Sequence, residues 1–269
     1  MPLTRFHGNH GTNLVLSEGG VVARRTCSFA NAITFSERPL KVGEVFLVEI
    51  EGQERGWSGH LRCGLTQHNP VLMTNNVDDS SKPDQIKIPQ YSMPDLANMG
   101  KTWIFAITKS HNRVPSANRE NEDSSTLRPV HRKPFIEDFI GYIRCGSVNI
   151  PKHMLVGKDK SGGELVATCN GSRIGVTYEI VDGVAEMHFL INGEDQGAAI
   201  MDQADLDRPF YCVVDVYGTT KRVRVIQLAI VRMLQEYCRD IIRTFVPEED
   251  VMRLPLPTKV KEYLKFQVL

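Results

Sequence analysis

The chain has 269 residues, and its 32 Lys and Arg balance 32 Asp and Glu, so the formal net charge is zero. That length is enough to bury a sizeable core, while the balanced charge excludes the long-range field that draws proteins to nucleic acid or anionic bilayers. Met1 to Leu16 lacks the basic and apolar regions of a secretory signal and no apolar run is long enough for membrane insertion, so the sequence predicts a cytoplasmic protein.

From the start to about Leu228 the dominant pattern is alternation with period two, which a strand with one buried face requires. In Val45 to Glu51 the residues Phe46, Val48 and Ile50 share a face. In Thr102 to Thr108 the same holds for Trp103, Phe105 and Ile107, and in Ser172 to Ile180 for Ile174, Val176, Tyr178 and Ile180. Further strand-like runs are Ala32 to Phe35, His60 to Thr66, Glu186 to Ile191, Phe210 to Tyr217 and Arg222 to Leu228, most of them bounded by Gly, Pro or Asn. Many short strands without helices between them predict a mainly β, antiparallel sandwich.

Val181-Asp182-Gly183 and Tyr217-Gly218-Thr219-Thr220 carry turn chemistry between alternating runs, and the second is expected to pair Phe210 to Tyr217 with Arg222 to Leu228 as a hairpin. Ile191-Asn192-Gly193-Glu194 supplies residues that tolerate positive φ, so the chain is expected to turn sharply there. Gln67 to Gln90, Lys109 to Pro134 and Val156 to Ser172 lack apolar periodicity and read as long loops, with Asn118 to Ser125 expected to be disordered. Cys27, Cys63, Cys145, Cys169, Cys212 and Cys238 stand singly, which points to free thiols in a reducing compartment.

After Leu228 the period changes to about 3.6. Val231, Leu234, Cys238, Ile241, Ile242 and Phe245 form one helical stripe of an amphipathic helix of about four turns. Pro247 ends it and opens a second short helix, since its fixed φ suits a first helical position and Glu248, Glu249 and Asp250 favour the positive end of the dipole. Leu254-Pro255-Leu256-Pro257 is expected to be extended, and Val260, Tyr263 and Leu264 mark a last helix reaching about Phe266.

Met233 to Ile242, followed by Leu254-Pro255-Leu256-Pro257 and Lys261-Glu262-Tyr263-Leu264, resembles a SOCS box spanning residues 231–269. The body, residues 4–228, resembles the neuralized homology repeat, a substrate-binding sandwich related to SPRY domains. The residues that carry this likeness are Arg5-Phe6-His7, Gly43-Glu44-Val45-Phe46, Gly56-Trp57-Ser58-Gly59-His60, Tyr91-Ser92-Met93-Pro94-Asp95-Leu96 and Ile191-Asn192-Gly193-Glu194-Asp195.

The resemblance implies a non-catalytic adaptor of a ubiquitin ligase that needs no cofactor. Leu234, Cys238, Ile241 and Ile242 would face elongin C with elongin B, and Leu254, Pro255, Leu256 and Pro257 would meet a cullin-5-type scaffold with its RING protein. A protein substrate would bind the sandwich. Residues spaced as Leu234, Cys238 and Ile242 stand in one row and can enter one groove, although the same helix could instead brace the sandwich of a free-standing protein- or glycan-binding module.

For the substrate, Trp57 and His60 between glycines are the leading candidates, with Arg55, Asn112 and Arg113 behind them, because an exposed Trp is a common anchor and Gly permits close approach. Trp57 filling the core is the competing expectation. The Gly56 to His60 segment only superficially suggests a nucleophile elbow, since its second glycine comes one place early. His7 and His10 lack a second ligand pair for zinc, and no phosphate-binding or dinucleotide loop occurs.

Overall fold

The computed structural model describes residues 4–75, 84–114, 135–137, 141–145, 148–157, 165–228 and 234–266. Two compact units emerge, Met1–Ala229 and Ile230–Leu269.

Among the described residues the first unit carries sixteen short strands. They are β1 (Leu14–Ser17), β2 (Val22–Arg25), β3 (Ile33–Phe35), β4 (Phe46–Gln53), β5 (Arg62–Thr66), β6 (Met73–Thr74), β7 (Ile86–Lys87), β8 (Thr102–Ala106), β9 (Phe135–Glu137), β10 (Tyr142–Cys145), β11 (Val148–Pro151), β12 (Arg173–Val181), β13 (Val184–Ile191), β14 (Glu194–Ile200), β15 (Tyr211–Asp215) and β16 (Thr220–Val225), with a one-turn helix α1 (Lys152–Leu155) after β11. A seven-stranded sheet in the order β1-β2-β16-β4-β12-β13-β14 and a four-stranded sheet in the order β3-β15-β5-β8 form the sandwich, with antiparallel pairing throughout both.

The inward faces build the main core as the alternation predicts. Phe46, Val48, Ile50, Ile174, Val176 and Tyr178 meet Cys63, Leu65, Cys212 and Val214 there, and Trp103 and Phe105 pack against them from the edge. Ile180 departs from the expectation: at the end of β12 beside the hairpin tip it is 41% exposed. Both sheets also bury part of their outer face. Val45, Leu47 and Leu190 pack with Ile143, Cys145 and Ile150 of β10 and β11, while Ile33, Phe35 and Val213 pack with Met73, Ile88 and Leu96. Leu47 and Val213 are therefore as buried as their inward neighbours.

Asp182-Gly183 links β12 to β13 and Asn192-Gly193 links β13 to β14, each as a two-residue loop with both residues at positive φ. That backbone matches the twist of the flanking strands. The expected hairpin across Tyr217 to Thr220 does not form. Its two strands lie in different sheets, β15 between β3 and β5 and β16 between β2 and β4, so the turn carries the chain across the sandwich. The reason is a competing contact: Thr219 N–H donates to the carbonyl of Gly59, and Thr220 pairs with Gln53 of β4.

The long connections contain little regular structure in their described parts, namely β6, β7 and one 3-10 turn at Pro70–Leu72. Asn118 to Ser125 lies outside the described residues.

In the second unit, α2 (Leu234–Phe245) is followed by 3-10 turns at Glu248–Arg253 and by α3 (Thr258–Phe266). The short helix expected after Pro247 is thus 3-10 in form. Residues 231–233, at the expected start of the first helix, lie outside the described residues. Leu254 is extended, with φ −61° and ψ 146°, and Leu256 N–H donates to the Leu254 carbonyl around Pro255. α3 packs on the 3-10 turns, and Val251 and Leu264 are buried.

Candidate functional site

At one end of the sandwich four connections bring their aromatic side chains together. Phe29 comes from the β2–β3 connection, Trp57 from β4–β5, Tyr91 from the segment before β8 and Tyr217 from β15–β16. Phe29 meets Trp57 edge-on at 4.9 Å between ring centroids and Tyr217 edge-on at 5.0 Å, and Tyr91 lies 6.1 Å from Phe29. Such tilted pairs place a positive ring edge on a negative ring face. Trp57 remains 38% exposed, so it lies on the surface and does not fill the core.

The loops are held by close backbone approach. Gly59 sits at φ +80° where a β-carbon would lie 2.7 Å from the Tyr217 ring, and Thr219 donates through its hydroxyl as well as its N–H to the Gly59 carbonyl. His60 shares a 2.7 Å hydrogen bond with the Thr219 hydroxyl, and burial with Lys109 nearby pushes its pKa down. His60 therefore ties two loops together and is only half-buried beneath the surface.

Charged groups underlie the rings. Arg25 is fully buried and donates to the carbonyls of Cys27, Gly218 and Thr220. Arg62 lays its guanidinium 3.5 Å from the Tyr217 centroid and donates to the Met93 carbonyl. Asp215, also fully buried, accepts from the N–H and hydroxyl of Ser92 and faces Arg62 at 3.9 Å. Desolvation outweighs these favourable contacts and pushes the Asp215 pKa up to about 6. At the rim, one oxygen of Glu54 accepts from Trp57 Nε1 and Lys221 Nζ and lies 3.5 Å from Arg25.

Arg55 belongs to the same loop as Trp57 and is exposed. Asn112 and Arg113 lie in the turn after β8, which begins beside this loop because Ile107 N–H donates to the Leu61 carbonyl. Asn112 is buried and closes that turn through hydrogen bonds with Thr108, whereas Arg113 is exposed. Sequence reasoning missed Phe29, Tyr91, Tyr217, Arg25, Arg62 and Asp215. Only Tyr91 and Tyr217 carried a signal, each within a segment already marked by Pro or Gly.

An open cleft of about 590 Å³ adjoins Arg62. Met93, Pro94, Ala97 and Ile104 supply its apolar lining, with Thr102 beside them. Among the described residues no three His, Cys, Asp or Glu side chains converge as metal ligands. No helix there is long and apolar enough to cross a membrane.

In the second unit, α2 presents Cys238, Ile241 and Phe245 to solvent, with Ile241 44% and Phe245 79% exposed and Ile242 half-buried. These positions recur at three- and four-residue spacing and so form one apolar row. The side chain of Leu234 lies outside the described residues. Leu254 and Leu256 are half-buried, and Pro255 and Pro257 are exposed.

Comparison with known proteins defines the class that this architecture represents. The Neuralized family model matches residues 6–227 and the SOCS box model residues 231–265. The chain belongs to the Neuralized family, with a SOCS box following its sandwich. It is 39% identical to neuralized-like protein 2 from Homo sapiens over 99% of this chain and 93% of that protein. It is 34% identical to the E3 ubiquitin-protein ligase NEURL1B from Homo sapiens, over 39% of this chain and 18% of that one. Among solved structures, the NHR1 domain of neuralized from Drosophila melanogaster superposes with a TM-score of 0.54 at 21% identity, covering 84% of this chain and 99% of that domain.

Proposed function

We propose that this protein is a non-catalytic substrate-recognition adaptor of a ubiquitin ligase built on elongin B and C, a cullin-5-type scaffold and its RING protein, and that it works in the cytoplasm. The observation that carries the ligase half is the exposed apolar row of Cys238, Ile241 and Phe245 on α2. An amphipathic helix with such a row suits a hydrophobic groove on a partner. Leu234 and Ile242 extend the same face by spacing, and Cys238 would act as a small apolar side chain where the groove is tight. Leu254 to Pro257 would meet the cullin, since two prolines stiffen the segment and reduce the entropy lost on capture.

The substrate half rests on the ring cluster around Trp57. Rigid aromatic side chains on converging loops make anchors with little entropy to lose, and loops on a fixed scaffold are where binding surfaces arise. The ligase name of a relative that matches 39% of this chain supports the ubiquitin assignment.

Capture of purified elongin B/C by the full chain tests the first half, with Cys238→Phe as the variant expected to lose it. If the wild-type chain ignores elongin, the adaptor reading fails and a free-standing binding module takes its place. Affinity capture of cellular proteins by the full chain and by Trp57→Ala tests the second: partners lost with Trp57→Ala support the surface, and an unchanged set removes it.

A further inference from the structure

We infer that the aromatic surface takes an acidic peptide segment led by an apolar or aromatic side chain, and that it rejects segments led by Lys or Arg. This rests on the reading of the Trp57 cluster as the substrate surface. The charges already committed around the rings carry the inference.

Exposed aromatic clusters can hold cations, because the negative ring faces attract ammonium and guanidinium groups. Here the protein occupies those faces itself. Arg62 covers Tyr217 at 3.5 Å, and Arg25 stands 6.0 Å from the centre of Trp57. A second cation brought to either ring would be repelled by the first.

Carboxylates that might offset the repulsion are already engaged. Glu54 is shared by Lys221, Trp57 and Arg25. Asp215 is sealed in the interior against Ser92 and Arg62, and Asp95 directs an oxygen to the Tyr91 N–H. Cations on the rim are less constrained: Arg55 and Lys109 are exposed and have no carboxylate partner among the described residues. The adjoining cleft repeats the pattern, since among the described residues Arg62 is its one charged lining residue, beside the apolar Met93, Pro94, Ala97 and Ile104 and the neutral Asn98 and Thr102. Apolar anchoring with cationic surroundings is complementary to an acidic chain bearing an apolar residue.

The probe is a phage-displayed random peptide library panned on the full chain at low salt, with each enriched peptide then measured against Trp57→Ala and Arg55→Glu. Thermal melting of both variants checks that they fold, and the exposed Arg55 supplies the variant that leaves the buried packing intact. The expected result is a set of peptides with net negative charge and an apolar anchor. Trp57→Ala should weaken them about tenfold or more, and Arg55→Glu about three- to tenfold at low salt but less at high salt. Peptides that depend on Trp57 but are rich in Lys or Arg, or that tighten with Arg55→Glu, would overturn the inference and leave the surface standing. If no enriched peptide depends on Trp57, the surface itself is wrong, and the inference falls with it.

Discussion

Gly218 and Gly59 press backbone against backbone: a β-carbon on Gly218 would lie 2.3 Å from the Gly59 carbonyl oxygen, and Gly218 itself sits at φ +59°. Steric room and backbone conformation both demand glycine, so Gly218→Ala should cost about 2 kcal/mol or more of folding stability. Chemical denaturation reads the loss. The same variant should displace Trp57, whose loop Gly59 belongs to, and a change in Trp57 fluorescence measured with Trp103 replaced by Phe would show it.

Burial of Asp215 makes the ring cluster sensitive to mild acid. Its pKa rises from 3.8 to about 6 on folding, so the native state binds this proton more readily than the unfolded chain does. Its contribution to stability is complete below pH 3.8 and is lost as pH rises through about 6. Between pH 7 and 5 the carboxylate is neutralised, weakening its pull on Arg62 and its acceptance from Ser92, the residue beside Tyr91. Trp57 fluorescence should therefore titrate with a midpoint near 6, and the transition should vanish in Asp215→Asn. His60 also titrates below its usual range nearby, so His60→Gln is the control that must leave the midpoint in place.

Arg25 and Arg24 are neighbours in β2 with opposite surroundings. Arg25 is sealed and bonded to three carbonyls, whereas Arg24 is exposed. Arg25→Met should destabilise by about 3 kcal/mol, because it strands those carbonyls and removes a counter-charge for Asp215. Arg24→Met should change stability by less than about 0.5 kcal/mol. Equal effects in urea titrations would contradict this account.

On α2, adding bulk and removing it test the proposed elongin contact from opposite sides. Leu234→Ala should weaken capture of the elongin heterodimer by about 2 kcal/mol, roughly thirtyfold, the worth of one buried Leu side chain. Cys238→Phe should abolish it by overfilling a tight groove. Helix content by circular dichroism should be unchanged in both, and calorimetric titration gives the affinities.

Much of the sandwich was legible because its inward faces obey a strict two-residue period, as in Phe46, Val48 and Ile50. Leu47 and Val213 were opaque for the complementary reason. Extra layers cover their outward faces, and nothing local in β4 or β15 announces a cover supplied from elsewhere in the chain. The Tyr217 to Thr220 turn misled because its glycine signals a sharp bend but not whether the bend joins one sheet or two. At the site, Trp57 and its flanking glycines were visible. Arg25, Arg62 and Asp215 were not, since a charged residue at a strand end reads as solvated until the fold closes over it. On α2, Cys238, Ile241, Ile242 and Phe245 were legible, because helical spacing alone sets which residues share a face, while Val231 and the Leu234 side chain lie outside the described residues.

Phe29, Trp57, Tyr91 and Tyr217 reach one place only when β2, β4, β5, β15 and β16 are all in register, and a one-residue slip in any of them would turn its side chains to the opposite face. The α2 row, by contrast, is assembled within a single stretch of chain. On the proposed adaptor role, damage to the sandwich would silence recognition before recruitment, so a misfolded copy would still occupy ligase machinery while delivering no cargo.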